Sequence, residues 1–444
     1  MHRDARGVPV SGGSAFARDQ YEVALRQFQS YVGDPVATLD AALADSPQFV
    51  VGHVFRALAM YTMTEKSLLP EVARSLDAAR GLQATANDRE RGLVEATQRL
   101  LDGDWNAGCL ALDHVLSEHP RDALALQAGH LMDFYRGDAL NLRNRVSRVL
   151  PHWNEAVPGF SYVLGMHAFG LEEMNQYAEA EAAARRALSL ERRDGWAVHA
   201  VTHVMEMQGR VDEGAEWLTS RESDWSPDNA FAFHNWWHLA LFRLDAGRYD
   251  DVLALYDARI HPGPAQFALT LLDATALLWR LHLEGVDVGG RFEQVAGEWA
   301  SRLDQDRGHY AFNDVHAMLA FVATGRAAES DQLVANLAFA AAGTGTNAMM
   351  SRDVGMPLAL AIRAFGAGRY ADAVALLEPV RDIAHRFGGS HAQRDLITLT
   401  LIEAALRAGQ ASRARHYIAE RLVHKPAGRL GRRLADRAAA RPLQ

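Results

Sequence analysis

Short turn signals recur through most of the chain, and their spacing limits its fold more than any other feature. They read DGDW around Gly103, RGDA at Gly137, MNQY at Asn175, QGRV at Gly209, AGRY at Gly247, EGVD at Gly285, TGRA at Gly325, AGRY at Gly368 and AGQA at Gly409. The steps between them are 34, 38, 34, 38, 38, 40, 43 and 41 residues. Glycine or asparagine supplies the left-handed conformation that ends one helix, and the next helix is expected to begin within about two residues. On either side apolar residues step by three and four, as in Leu239 and Phe242 before Gly247 and Val252 and Leu255 after it. That is the stripe of an amphipathic helix. A single pair of this size cannot bury its apolar face alone, so neighbouring pairs must stack into a continuous core. The pattern predicts an all-α superhelical solenoid of about nine helix-turn-helix repeats with a concave groove. Sustained period-two alternation is missing, so essentially no sheet is expected.

The array is expected to run from residue 19 to 424. Residues 1–18 are polar and Gly/Ser-rich and read as a flexible leader, without the apolar core of a secretory signal. Residues 425–444 are basic and alanine-rich, and read as a capping helix or, less simply, as an arm for a polyanion. The balance of 46 basic against 55 acidic residues gives a formal charge of −9. It argues against nonspecific attraction to nucleic acid or to an anionic membrane. Cys109 is the only cysteine, which rules out an intramolecular disulfide and a multi-cysteine metal site. No apolar run approaches the ~18 residues of a membrane-spanning helix, so a cytoplasmic protein is expected.

The segment NQYAEAEAAARRALSLERRD, Asn175 to Asp194, resembles the second half of a tetratricopeptide repeat, and AGRYDDVLALYDARI and AGRYADAVALLEPV repeat its scheme. Over about residues 7 to 424, the blocks HAVTHVMEMQGR, HNWWHLALFRLDAGRY, HYAFNDVHAML and GGSHAQRD resemble the tetratricopeptide repeat protein 38 family. That resemblance implies a repeat fold and no particular activity. Resemblance to tetratricopeptide proteins in general implies that one face of the first helix of each pair lines the concave groove.

Histidines fall on that face. His199 and His203 lie 10 and 6 residues before Gly209, His234 and His238 lie 13 and 9 before Gly247, and His316 lies 9 before Gly325. Steps of three and four place such residues on one side of a helix, and Glu206 extends the first of these faces by a turn. Each histidine taken alone reads as a helix residue satisfied by its neighbours; several in phase point to a shared surface. One reading is a groove for a peptide, a protein or a small polar ligand. There His199, His203, His234, His238 and His316, with Glu206, Asp273, Arg280 and Arg394, supply polar contacts and Trp236 and Trp237 supply flat area, Trp236 fitting helix packing better. The alternative is an acid-base or metal-assisted enzyme using His203, His238 and His316 with Asp273 or Asp314.

A divalent metal is the cofactor that the second reading allows. HAVTH and HNWWH both space two histidines at i and i+4, so His199, His203, His234 and His238 are the candidate ligands. Neither contains the glutamate of H-E-x-x-H, so the zinc-peptidase motif is absent. His391, after Gly388 and Gly389, is expected to begin a helix facing the same groove, while His167 falls one position off the stripe. GTGT at 343–346 lacks the lysine of a P-loop and has no preceding strand. Ligand recognition is the preferred reading, without nucleic acid or membrane.

Overall fold

All nine turn residues take left-handed backbone in the computed structural model, which describes residues 2–440, with φ from 61° at Asn175 to 82° at Gly103. Each separates the two helices of a pair, from Asp88–Leu101 and Trp105–Glu118 about Gly103 to His391–Arg407 and Ala411–His424 about Gly409. Gly285 is followed by an insertion. Its second helix starts only at Arg291, because Gly289 turns left-handed again at φ 57°.

Side chains complete many of the helix starts. Asn87 and Glu90 form a reciprocal capping box, as do Ser390 and Gln393, and Asp104, Asp122 and Asp138 each accept the amide three residues on. These contacts satisfy amides that lack an intrahelical acceptor.

Two further pairs precede those read from the turns: Ala15–Ser30 with Pro35–Asp45, and Val50–Tyr61 with Leu69–Gly81. Their connections place Tyr31 at φ 60° close to Gly33 at φ 92°, and Thr64 at φ 57° in a connection with no glycine, which a glycine-based search passes over. The expected leader is also structured. His2–Arg3 pairs antiparallel with Pro9–Val10, Val8 and Val10 are buried, and Arg6 meets both Asp4 and Glu22.

The chain divides into two compact units, one of residues up to Val201 with Glu222–Ala232, the other of Thr202–Arg221 with Phe233 onward. The division falls inside the helix Gly195–Met207. In the first unit, Arg89 forms a buried bidentate ion pair with Asp122 and also donates to Pro9 O and Tyr21 Oη. Cys109 is buried there and its thiol is pushed up to about 12 by desolvation, which makes it inert as a nucleophile at neutral pH.

In the second unit the later helices return to the earlier ones. The helix His391–Arg407 meets Ala268–Leu283, where Trp279 Nε1 donates to Thr400 Oγ1 at 3.0 Å and Arg280 Nη2 donates to Ala392 O at 2.8 Å. The basic tail forms a helix, Arg429–Ala439, whose Leu430, Leu434 and Ala438 are buried. Its arginines engage carboxylates of the same unit: Arg429 pairs with Asp212, Arg433 with Glu284 and Arg437 with Glu403. Residues 441–444 of the expected tail lie outside the described residues. Among the described residues, no helix is long and apolar enough to cross a membrane.

Candidate functional site

Three first helices of successive pairs deliver the centre of the second unit. The C-terminal part of Gly195–Met207 carries His203 and Glu206, Ala232–Asp245 carries His234 and His238, and Ala268–Leu283 carries Asp273 and Arg280. Helical spacing puts His234 and His238 on one face, and His203 approaches from the neighbouring helix. The His203 and His238 rings are 4.5 Å apart and the His234 and His238 rings 4.8 Å apart, centroid to centroid. His203 and His238 are wholly buried and His234 nearly so.

Each of two imidazoles is matched to its own carboxylate. His234 Nδ1 donates to Asp273 Oδ2 at 2.6 Å, and His238 Nδ1 donates to Glu206 Oε2 at 2.7 Å. Such contacts fix the tautomer with the proton on Nδ1 and raise the basicity of Nε2. Burial holds the His238 pKa well below the ordinary histidine value, and the nearby His203, His234, Lys425 and Arg280 add to that effect. His238 is therefore neutral at physiological pH, the state in which imidazole ligates a metal.

Around this trio, Trp237 stacks on His234 at 5.2 Å with 13° between the rings, and the Arg280 guanidinium lies 5.3 Å above Trp237. Burial lowers the Arg280 pKa against the opposing pull of Asp395, Glu206 and Asp273. Asp273 Oδ1 and Trp237 Nε1 are buried and lack a hydrogen-bond partner. An orphaned carboxylate oxygen of this kind is costly unless a donor or a cation meets it.

His203, His234 and His238 each offer a ring nitrogen within 4.8 Å of the others. A single ion would need these nitrogens closer, at bonds of about 2.0–2.1 Å. A set of imidazole nitrogens suits zinc and the neighbouring transition metals and is poorly suited to magnesium or calcium.

His199 stands one turn before His203 on the same helix and belongs to the first unit, packed at 5.0 to 5.1 Å from Phe169, Trp196 and Phe231. His316 Nδ1 donates to Phe312 O at 2.8 Å, and burial lowers its pKa to about 4; Asp273 and Arg280 are both in electrostatic reach of it. Asp314, two residues earlier on that helix, faces another way, into a recess with Trp299, Arg302, Asp306 and His309. His391 does begin a helix, with Arg394 Nη2 donating to its Nδ1 at 3.3 Å, and Arg394 also donates to Gly389 O. His167 is in the first unit, 3.1 Å from Ser147 Oγ. Trp236 is buried beneath Arg259, consistent with helix packing.

Three charged residues joined to this centre were not singled out from the sequence: Asp395, Arg421 and Lys425. Lys425 Nζ donates to Glu206 Oε1 at 3.2 Å and to Asp395 Oδ2 at 3.4 Å. Arg421 holds Asp395 through Nε at 3.0 Å and Nη2 at 2.8 Å. One signal was visible: Lys66 and Lys425 are the only lysines in a chain with 46 basic residues, so arginine is the default cation here.

No protein-family model matches the chain. Among solved structures, it is similar to the human IFIT1 dimer with m7Gppp-AAAA, at 12% identity over 95% of this chain and 94% of that one, with a TM-score of 0.45. Yeast Tom70 matches at 11% identity over 96% and 86%, with a TM-score of 0.33. Naa15/Naa10 bound to HypK-THB matches at 11% identity over 95% and 65%, with a TM-score of 0.24.

Proposed function

We propose that this chain is a metal-assisted enzyme acting on a small polar molecule, with a divalent ion held by His203, His234 and His238. One observation carries the reading: two neighbouring imidazoles have Nδ1 bound to separate buried carboxylates, Asp273 and Glu206, beside a third histidine. A structural histidine needs one partner of any kind. Two that each consume a buried carboxylate are far better explained as ligands whose tautomer and orientation must be set. When bound, the ion would supply a Lewis acid and a water of lowered pKa, as hydrolytic and lyase reactions require. Asp273 fits a proton-handling role, because its Oδ1 is not used by His234.

A second reading, recognition of a polar ligand without chemistry, draws support from the same Asp273 Oδ1 and from Trp237 Nε1, which such a ligand would satisfy. The blocks that resemble the tetratricopeptide repeat protein 38 family carry His203, Glu206, His234 and His238, and we propose the chain as a distant relative of that family.

The test is to purify the protein without a histidine tag and quantify metals by elemental mass spectrometry. One ion per chain, lost in the His203→Ala, His238→Ala double variant, is the expected result. If the wild-type chain carries none and takes up neither zinc nor cobalt, the metal reading fails and ligand recognition replaces it.

A further inference from the structure

Lys425 sits where the last two helices of the second unit meet. It follows the helix Ala411–His424 directly, is only 5% exposed, and places its ammonium between carboxylates from two different helices. Glu206 is thereby shared: Oε2 accepts from His238 and Oε1 accepts from Lys425. Asp395, the second acceptor, is tied to Arg421. Burial alone would raise the Asp395 pKa, but Arg421, Lys425 and Arg280 outweigh it and hold the carboxyl well below its ordinary range.

The segment that follows Lys425 is anchored as well, beginning with Gly428 N, which donates to Lys425 O at 3.1 Å. Asp245 accepts from Arg429 N at 2.6 Å at the start of the final helix, and Arg433 donates to Asp245 O at 2.6 Å and to Leu244 O at 3.1 Å. The connection is packed so closely that a methyl group on Gly209 would lie 2.5 Å from Gly428 N. The final helix thus anchors the chain just after Lys425.

We infer that Lys425 is a positioning residue for the histidine centre, holding Glu206 in the one orientation that presents Oε2 to His238. The inference rests on the metal-centre reading above. A glutamate side chain has three rotatable bonds, and one contact to an imidazole does not fix them; a second contact to a buried ammonium does. Without Lys425, Asp395 keeps its pair with Arg421, while Glu206 Oε1 loses the donor that held it and the side chain can turn away from His238. Lysine suits this place, because a compact ammonium on a flexible stem can bridge two acceptors that a planar guanidinium would engage edge-on.

The experiment uses the full chain and Co²⁺ alone as probe, since the visible spectrum of bound Co²⁺ reports ligand geometry. Wild type is expected to bind Co²⁺ with the spectrum of a histidine-rich, low-coordinate site. Lys425→Met should weaken Co²⁺ binding by about 10- to 100-fold, the usual cost of losing a partner behind a metal ligand, and alter the spectrum. Lys425→Arg should restore part of both. If Lys425→Met does not keep its helical circular dichroism, Arg433→Ala, which loosens the final helix without touching the charge chain, replaces it and should show the same change at smaller amplitude. Unchanged affinity and spectrum in a folded variant would overturn the positioning role and leave the metal centre standing. Failure of wild type to bind Co²⁺ would sink the metal reading, and this inference with it.

Discussion

His238 Nδ1 and Glu206 Oε2, 2.7 Å apart, join the first helices of two successive repeats. A contact between repeats thus doubles as the contact that sets a tautomer. Glu206→Gln keeps an acceptor for the imidazole but removes the charge. Zinc affinity, measured by competition with a chromophoric chelator, should fall by about 10- to 100-fold while the helical content is retained. Equal affinity in the two proteins would mean that Glu206 does no more than fill space.

Stability of the first unit should depend on Arg89. Both Arg89 and Asp122 are fully buried, so Arg89→Ala strands an ionised carboxylate in the core. The expected loss is about 3–5 kcal/mol in urea unfolding. Arg89→Met combined with Asp122→Asn removes the charge as well as its partner and leaves an acceptor for the amide of Ala125, so much of the loss should be recovered.

Asp194 gives a pH signature. Burial raises its carboxyl to about 7, against about 3.9 in an unfolded chain, despite the amide that Ala197 donates to it. Between those values the folded state binds the extra proton, so stability from this group declines as pH rises from about 4 to about 7. Asp194→Asn keeps the acceptor and has nothing to titrate. The unfolding free energy of the variant minus that of wild type should climb across that window and level off above it, when urea titrations are run at a series of pH values. Buried neutral histidines such as His130, lowered to about 3 by desolvation, act in the opposite direction but equally in both proteins. A flat difference would show that Asp194 titrates normally.

Two turn glycines should respond unequally to alanine. Gly103 at φ 82° has nothing within 4 Å of an added methyl, whereas at Gly209, φ 71°, the methyl would lie 2.5 Å from Gly428 N and 3.0 Å from Ala427 C. Both substitutions carry the left-handed penalty of roughly 1–2 kcal/mol. Gly209→Ala must in addition push back the segment leading to the final helix, so it should lower the unfolding midpoint by clearly more. Equal losses at the two sites would contradict the close approach.

The turns made most of the fold legible, because glycine announces a left-handed residue through its chemistry. At the second helix pair Thr64 adopts that conformation with no glycine in the connection, so the sequence is silent there, whereas the first connection does carry a left-handed glycine, Gly33 at φ 92°, beside Tyr31. The leader was misread because its polar residues are satisfied by a local hairpin and by Arg6, which composition does not report. Periodicity put His203 and Glu206 on one helix and His234 and His238 on the next, and in the structure these side chains lie close together. It could not separate His316 from Asp314, which lie two residues apart on one helix and therefore on nearly opposite sides. Lys425 was beyond its reach altogether, since its partner Glu206 is 219 residues away and no repeat phase links them, and Asp395 joins the centre through Lys425.

The docked final helix also imposes an order of assembly during synthesis. Most helix pairs can form as they leave the ribosome, because neighbouring pairs pack on one another, but His391–Arg407 must also find Ala268–Leu283, made more than a hundred residues earlier. Arg429 meets a partner made 217 residues earlier, and Arg433 one made 149 residues earlier. Until Lys425 emerges, Glu206 has no ammonium beside it. Premature termination a few residues upstream of Lys425 would therefore spare most of the repeats and still leave the histidine centre unfinished.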